Sequence, residues 1–266
     1  MDGRSEPTLT RRRFASWCAL GVAAGATLGA TRRASGQAGP PATSAGPADP
    51  RLVEHLVAAN RILVDQGVLD AYGHVSVRHD RDMTAGDVLQ YDRDSNAVDA
   101  AGRTLYLGRF IHGEIYKARP DVQAVVHSHS PSVIAFGVST VPLRPLYHMS
   151  AFLGEGVPVF DIRDTAGMTD MLVKTPALGA ALARTLGARP VALMRGHGCA
   201  TVGPTLPHAV FRSVYFEINA KLQARAMALG GPVTYLDPEE AKQADATNQG
   251  TYGRPWELWR RRVLAR

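Results

Sequence analysis

The residues best suited to chemistry are three histidines in two separate stretches. His127 and His129 sit in the run VVHSHS over 125–130. On a strand, residues two apart project to one face, so the two imidazoles stand side by side and Ser128 points the other way. Neutral imidazole is a common ligand for divalent transition metals, and a catalytic zinc takes three protein ligands while keeping one position open. Alone, such a pair is more often an inert strand end. The second stretch, MRGHGC over 194–199, supplies His197 directly after the apolar run Val191–Met194. Glycines on both sides of His197 let the chain turn sharply and approach another group closely. His197 is the natural third ligand, with Cys199 either a substitute ligand or a packed side chain.

Three ligands from distant stretches need a scaffold to bring them together. Asp49 followed by Pro50 predicts a helix start, and Leu52, Val53, Leu56, Val57, Ile62 and Leu63 recur at helical spacing up to Gly67. His74–Arg78 alternates like a strand, with Asp87–Tyr91 as its partner and a polar turn or hairpin over 92–104. Arg109–Arg119 reads as a helix stopped before Pro120. A strand over Gln123–Ser128 and a helix from Pro131 to Gly137 follow. Val157–Phe160 is an edge-type strand because it contains Pro158. Further helices are predicted over Pro176–Leu186, Leu206–Leu229 and 238–247, with a buried strand at Val191–Met194. Strands and helices mix without a strict βαβ rhythm, which favours a single α/β sandwich over a doubly wound nucleotide fold.

The chain has 266 residues, 45% hydrophobic and 20% charged, enough for one large domain or two small ones. No apolar run reaches the eighteen or so residues of a membrane span. Of the net charge of +6, +4 lies in residues 1–38, so the folded part lacks the basic excess expected of a nucleic-acid binder. That first segment joins Arg11–Arg13 and Phe14 to an uncharged stretch and a small-residue end, the plan of a twin-arginine export signal. The expectation is a signal peptide over 1–38, a Pro/Gly/Ala linker over 39–50, a catalytic domain over 51–250 and a basic, Trp-containing tail over 251–266. The last docks against a neighbouring subunit. The location is then periplasmic, with a cytoplasmic protein carrying a basic tail as the alternative. Only Cys199 remains beyond the signal, which leaves no partner for an intrachain disulfide.

The sequence ARPDVQAVVHSHS over 118–130, followed by RGHG over 195–198, resembles the class II aldolase/adducin family across nearly all of residues 50–250. YGHVSVR over 72–78, RFIHGEIY over 109–116 and PWELW over 255–259 are most similar to its hydroxy-carboxymuconic semialdehyde decarboxylase-like members. The resemblance implies an αβα sandwich with a central, mainly antiparallel sheet, assembled as a homotetramer with active sites between subunits. It implies a divalent metal held by His127, His129 and His197, zinc first, with Mn2+, Co2+ or Fe2+ as alternatives. It also implies that Tyr215, on the long helix, reaches a neighbour's metal. The expected activity is carbon–carbon cleavage of a hydroxy or oxo acid, by decarboxylation or aldol cleavage, in which a Lewis acid stabilises an enolate.

Two departures from the family pattern stand out. The family's acid/base glutamate position is Gly108, and His112, one turn further along the same helix, is the substitute acid/base, because Glu114 lies about 120° around. On that view Gly108→Glu raises activity. The loop over 79–86 is shorter than in relatives, and His74 stands where aldolases of the family have asparagine. A substrate anion site is then assembled from His74, Ser76 and Arg78, with His148 a further pocket candidate. The competing expectation is a catalytically weakened or non-catalytic, adducin-like scaffold.

Overall fold

The computed structural model describes residues 49–78, 89–92, 94–98 and 105–265. The export signal, the linker up to residue 48 and the short loop over 79–86 lie outside the described residues. So do the start of the Asp87–Tyr91 strand and residues 99–104 of the polar turn.

Five strands form one sheet: β1 (His74–Val77), β2 (Ala124–Ser128), β3 (Val159–Phe160), β4 (Val191–Met194) and β5 (Gly198–Gly203), in the order β1-β2-β5-β4-β3. Every neighbouring pair is antiparallel except β3 with β4. The helices are α1 (Pro50–Asp65), α2 (Arg109–Ala118), α3 (Pro131–Gly137), α4 (Arg163–Ala166), α5 (Pro176–Leu186), α6 (Leu206–Ala228), α7 (Pro238–Gln249) and α8 (Gly253–Leu264). A 3-10 helix spans His148–Leu153.

Side-chain alternation along the strands sorts the core into layers. Val125, Ala192, Met194, Ala200 and Val202 pack with Ile111 and Ile115 of α2 and Leu178, Leu182 and Leu186 of α5. Ala124 and Val126 point the other way, into Ile62 and Leu63 of α1, Val210 and Val214 of α6, and Trp256 and Val263 of α8. Leu193 and Cys199 share that second face with Phe211 and Phe216 of α6 and Val133 and Phe136 of α3. The result is the three-layer α/β sandwich with a mainly antiparallel sheet. Helix starts follow local chemistry: Asp49, Thr175, Thr205 and Asp237 each accept from a first-turn backbone N–H, with proline following at the first or second helical position.

Three expectations change. β5 was absent from the sequence reading, because glycines bracket it and depress its strand signal. Gly198 is nevertheless required, since a Cβ there would collide with the Ser128 carbonyl across the β2–β5 pair. Residues 89–91 form no strand partner for β1; Tyr91 instead makes an isolated bridge to Ala97. Finally, the C-terminal segment carries α8 (Gly253–Leu264), which docks on this chain's own α1. Trp256 and Val263 recur seven residues apart on its buried face, while Arg260 pairs with Glu54 and Arg262 with Asp65.

Candidate functional site

Register assembles the three histidines. β2 pairs with β5 so that Ser128 lies opposite Cys199 and His127 opposite Ala200. One step further, His129 comes level with the end of the β4–β5 hairpin. His197 sits on the turn of that hairpin, which is closed by Gly196 at φ +62° and by the His197 N–H donating to the Met194 carbonyl at 3.0 Å. One ligand nitrogen from each of His127, His129 and His197 lies within 4.8 Å of the others.

The tautomers are fixed from behind. Each Nδ1 faces an oxygen that only accepts, so each Nδ1–H donates: His127 to the Cys199 carbonyl, His129 to the Asp70 carboxylate and His197 to the Met171 carbonyl, all at 3.0 Å. That leaves the three Nε2 lone pairs free, which is how proteins orient metal-binding imidazoles. Burial, then the neighbouring imidazoles, hold His127 well below its ordinary pKa, and burial lowers His197 as well. Three Nε2 atoms turned toward one another fit a divalent cation. Cys199 is not among these ligands. Its thiol turns to the opposite face of the sheet, 3.3 Å from the Ser128 hydroxyl, and burial pushes it up to about 11.

Asp70 and Met171 escaped the sequence reading. Burial works to raise the Asp70 carboxyl, but the backbone N–H groups of Tyr72 and Gly73 and the His129 ring outweigh it and hold Asp70 at about 2. The signal available was an aspartate four residues before His74 in a turn-forming DAYG run. Met171 offers only a carbonyl, presented from a left-handed conformation at φ +66°, and no side-chain pattern announces that. Asp70→Asn is expected to weaken zinc binding about 10- to 100-fold, because the amide NH2 cannot accept from Nδ1–H. Calorimetric titration with zinc checks this, and an unchanged Kd contradicts it.

A second polar group adjoins the triad. β1 lies beside β2 with His74 opposite His127, so both rings emerge on the α2 side of the sheet. His74 Nδ1 is 2.6 Å from His112 Nε2, the Ser76 hydroxyl is 2.5 Å from His112 Nδ1, and the Ser76 and Tyr116 hydroxyls are 2.8 Å apart. Tyr116 lies one turn beyond His112 on α2, a spacing that could have revealed it. Burial, followed by the charges of neighbouring histidines, pushes His74 down to about 2 and His112 to about 3, so both rings are neutral near pH 7.

These contacts correct two site expectations. His112 is buried and both its ring nitrogens are taken, so it stands behind His74 rather than facing a substrate. The anion site expected of His74, Ser76 and Arg78 is not formed by these groups. Ser76 turns to His112 and Tyr116, and Arg78 donates to the carbonyls of Val122, Tyr116 and Arg119 while lying over the Tyr116 ring. Two other candidates stand apart from the triad within one chain. Tyr215 is half-buried on α6 against Phe211, Tyr147 and Trp259, and His148 is exposed at the start of the 3-10 helix.

Residues 54–224 match the family described as Class II Aldolase and Adducin N-terminal domain. The chain belongs to that family. Among class II aldolase/adducin proteins it is 37% identical over 248 residues to the decarboxylase tropJ of Talaromyces stipitatus, covering 79% of this chain and 93% of that one. It is 29% identical over 239 residues to a 3,4-dihydroxyphthalate decarboxylase of Arthrobacter keyseri, covering 79% and 91%. The aldolase II superfamily protein of Pseudomonas syringae shares the fold at a TM-score of 0.67 and 23% identity, over 81% and 94% of the two chains.

In this class II aldolase/adducin chain Gly108 and His74, two positions that depart from the family pattern, lie against each other. Gly108 has φ −74° and ψ 5°, a conformation open to any residue, so its backbone does not demand glycine. A Cβ there would lie 2.9 Å from His74 Nε2 and 3.3 Å from Cε1. The His74 ring occupies the space that a side chain at 108 would enter. Among the described residues no helix is long and apolar enough to cross a membrane.

Proposed function

We propose that this chain is a divalent-metal-dependent carbon–carbon lyase, and specifically a decarboxylase of a hydroxylated, aromatic-derived acid. The observation that carries the reading is the convergence of His127, His129 and His197 with every Nδ1 committed to a protein acceptor. A divalent cation held there, zinc first, supplies Lewis-acid polarisation of a substrate oxygen. The chain's own residues do the rest. Tyr72 and Tyr106, both exposed, have their rings 6.5 Å from His129 and 5.4 Å from His74, and they offer flat walls to an aromatic acid. His74, half-buried with its ring 5.0 Å from that of His127, is in this reading the polar group that moves a proton at the substrate's reacting carbon. Decarboxylase names on relatives that this chain covers almost end to end favour decarboxylation over aldol cleavage. In this reading the protein works as a homotetramer, and Tyr215 and His148 serve a neighbouring copy's site.

The scaffold alternative drew its support from Gly108, and the His74 ring gives that glycine a different reason. The test is release of CO2 from 3,4-dihydroxyphthalate by protein loaded with Zn2+, Mn2+, Co2+ or Fe2+, beside an assay for aldehyde formation from a sugar phosphate. CO2 release with a loaded metal is expected. A metal-bearing protein silent in both assays contradicts the lyase reading and favours the scaffold.

A further inference from the structure

Resting on the lyase reading, we infer that His74, His112, Ser76 and Tyr116 form a single proton relay, in which His74 gives a proton to the substrate and the other three restore it. The contacts run unbroken from His74 Nδ1 to His112 Nε2, from His112 Nδ1 to the Ser76 hydroxyl and from there to the Tyr116 hydroxyl. Each interior member has one donor and one acceptor in the line, so the chain holds its hydrogens in either of two directions. One end lies against the metal-binding histidines, with the His74 and His127 ring centroids 5.0 Å apart. At the other end Tyr116 lines a cavity of about 400 Å3 with Arg78, Lys117 and Pro120.

Because His74 Nδ1 is engaged with His112, the nitrogen that delivers is Nε2, which lies close against Gly108 where no side chain intervenes. In decarboxylation the bond to the carboxylate breaks, its electron pair stays on the substrate carbon, and CO2 leaves. The carbon takes the proton from His74 Nε2. His74 takes one at Nδ1 from His112 Nε2, His112 takes one at Nδ1 from Ser76, and Ser76 takes one from Tyr116. Water in the cavity restores the tyrosine hydroxyl and leaves hydroxide there, with His74 now carrying its hydrogen on Nδ1. The line resets when water at the substrate side gives a proton to His74 Nε2 and each hydrogen runs back one step, so that the tyrosine's proton returns to the cavity hydroxide. The hydroxide left at the substrate side combines with CO2 as bicarbonate. Every ring is neutral before and after, so no member has to hold a buried charge. In these terms His74 is catalytic, and His112, Ser76 and Tyr116 are positioning residues that act through it.

Arg78 frames the relay instead of interrupting it. Its guanidinium covers the Tyr116 ring at 4.7 Å and donates to carbonyls on either side, which fixes the tyrosine without consuming its hydroxyl.

The test joins a readout that needs no turnover to one that does. In protein labelled with 15N-histidine, with no substrate added, Ser76→Ala is expected to shift the ring-nitrogen signals of His74 as well as His112 and to leave His129 and His197 in place. Ser76→Thr keeps the hydroxyl and is expected to retain the wild-type pattern. Tyr116→Phe, which removes one oxygen only, provides a second break should the alanine variant fold poorly. With 3,4-dihydroxyphthalate, both broken-relay variants are expected to lose on the order of 100-fold in kcat at nearly unchanged KM and metal content, with an altered solvent isotope effect. A His74 signal unmoved in both variants, or kcat and isotope effect equal to wild type, overturns the relay. Absence of CO2 release from the wild-type protein counts against the lyase reading instead, and the histidine signals still decide whether the four groups act as one.

Discussion

His127→Ala is expected to lower kcat/KM by roughly a thousandfold or more, because Lewis-acid stabilisation of several kcal/mol is lost and each 1.36 kcal/mol is a factor of ten. His127 is the central member of the triad. It is buried at the second-last position of β2, it faces His74 across the β1 pair, and its ring makes edge contacts with both His129 and His197 at about 5 Å between centroids. Alanine also leaves the Cys199 carbonyl without the Nδ1–H that satisfies it, at a cost of about 1–3 kcal/mol in stability. His127→Gln separates the two effects, since it retains a polar side chain of similar reach and breaks the three-imidazole set. Both variants are expected to fold, to show the far-UV circular dichroism of the wild type and to be inactive. Activity within tenfold of wild type in either variant would contradict the assignment.

Gly108→Glu is expected to reduce activity on the order of 100-fold, reversing what the family pattern alone suggests. The reason is steric before it is chemical. Even the Cβ of alanine would approach His74 Nε2 to 2.9 Å, and the ring has little room to retreat between His112, Tyr106 and His127. Overpacking of this kind costs about 1–3 kcal/mol. Because φ −74° suits alanine as well as glycine, any loss in Gly108→Ala comes from the ring and not from backbone strain. The double variant Gly108→Glu/His74→Asn removes the clash together with its cause, and it is expected to recover stability beyond the sum of the single changes. Melting temperatures and kcat of the four proteins close the cycle. A Gly108→Ala protein identical to wild type in both would show that the ring does not define the position.

What the sequence disclosed followed physical range. The convergence of His127, His129 and His197 was legible because a period of two on a strand and a glycine-flanked turn are local signals. The helices were legible where an apolar stripe met a capping residue, as at Asp49, Thr175 and Thr205. β5 was hidden by the glycines that its close approach to β2 requires, and α8 by arginines that read as a basic tail until Glu54 and Asp65 on α1 are seen opposite them. The shell behind the triad was out of reach for a different reason. Asp70 lies 59 positions before His129, and the acceptors for His127 and His197 are main-chain carbonyls that carry no residue-type signature. The helical-face argument brought His112 to the correct side of α2. Only the three-dimensional contacts show that both its nitrogens are spoken for, which leaves the proposed proton-donating role to His74.

Whether three imidazoles share one cation is decided by metal binding, without reference to any substrate. Metal-free protein titrated with zinc in a calorimeter, with metal content of the dialysed complex measured in parallel, is expected to take up one ion per chain. The absorption fine structure of that complex should show a shell of nitrogen or oxygen ligands at about 2.0–2.1 Å with the multiple-scattering pattern of imidazole rings. The same titration of the His127→Ala/His129→Ala/His197→Ala protein should show no such site. Equal zinc uptake by the triple variant, or a wild-type protein that takes up none, would contradict the account.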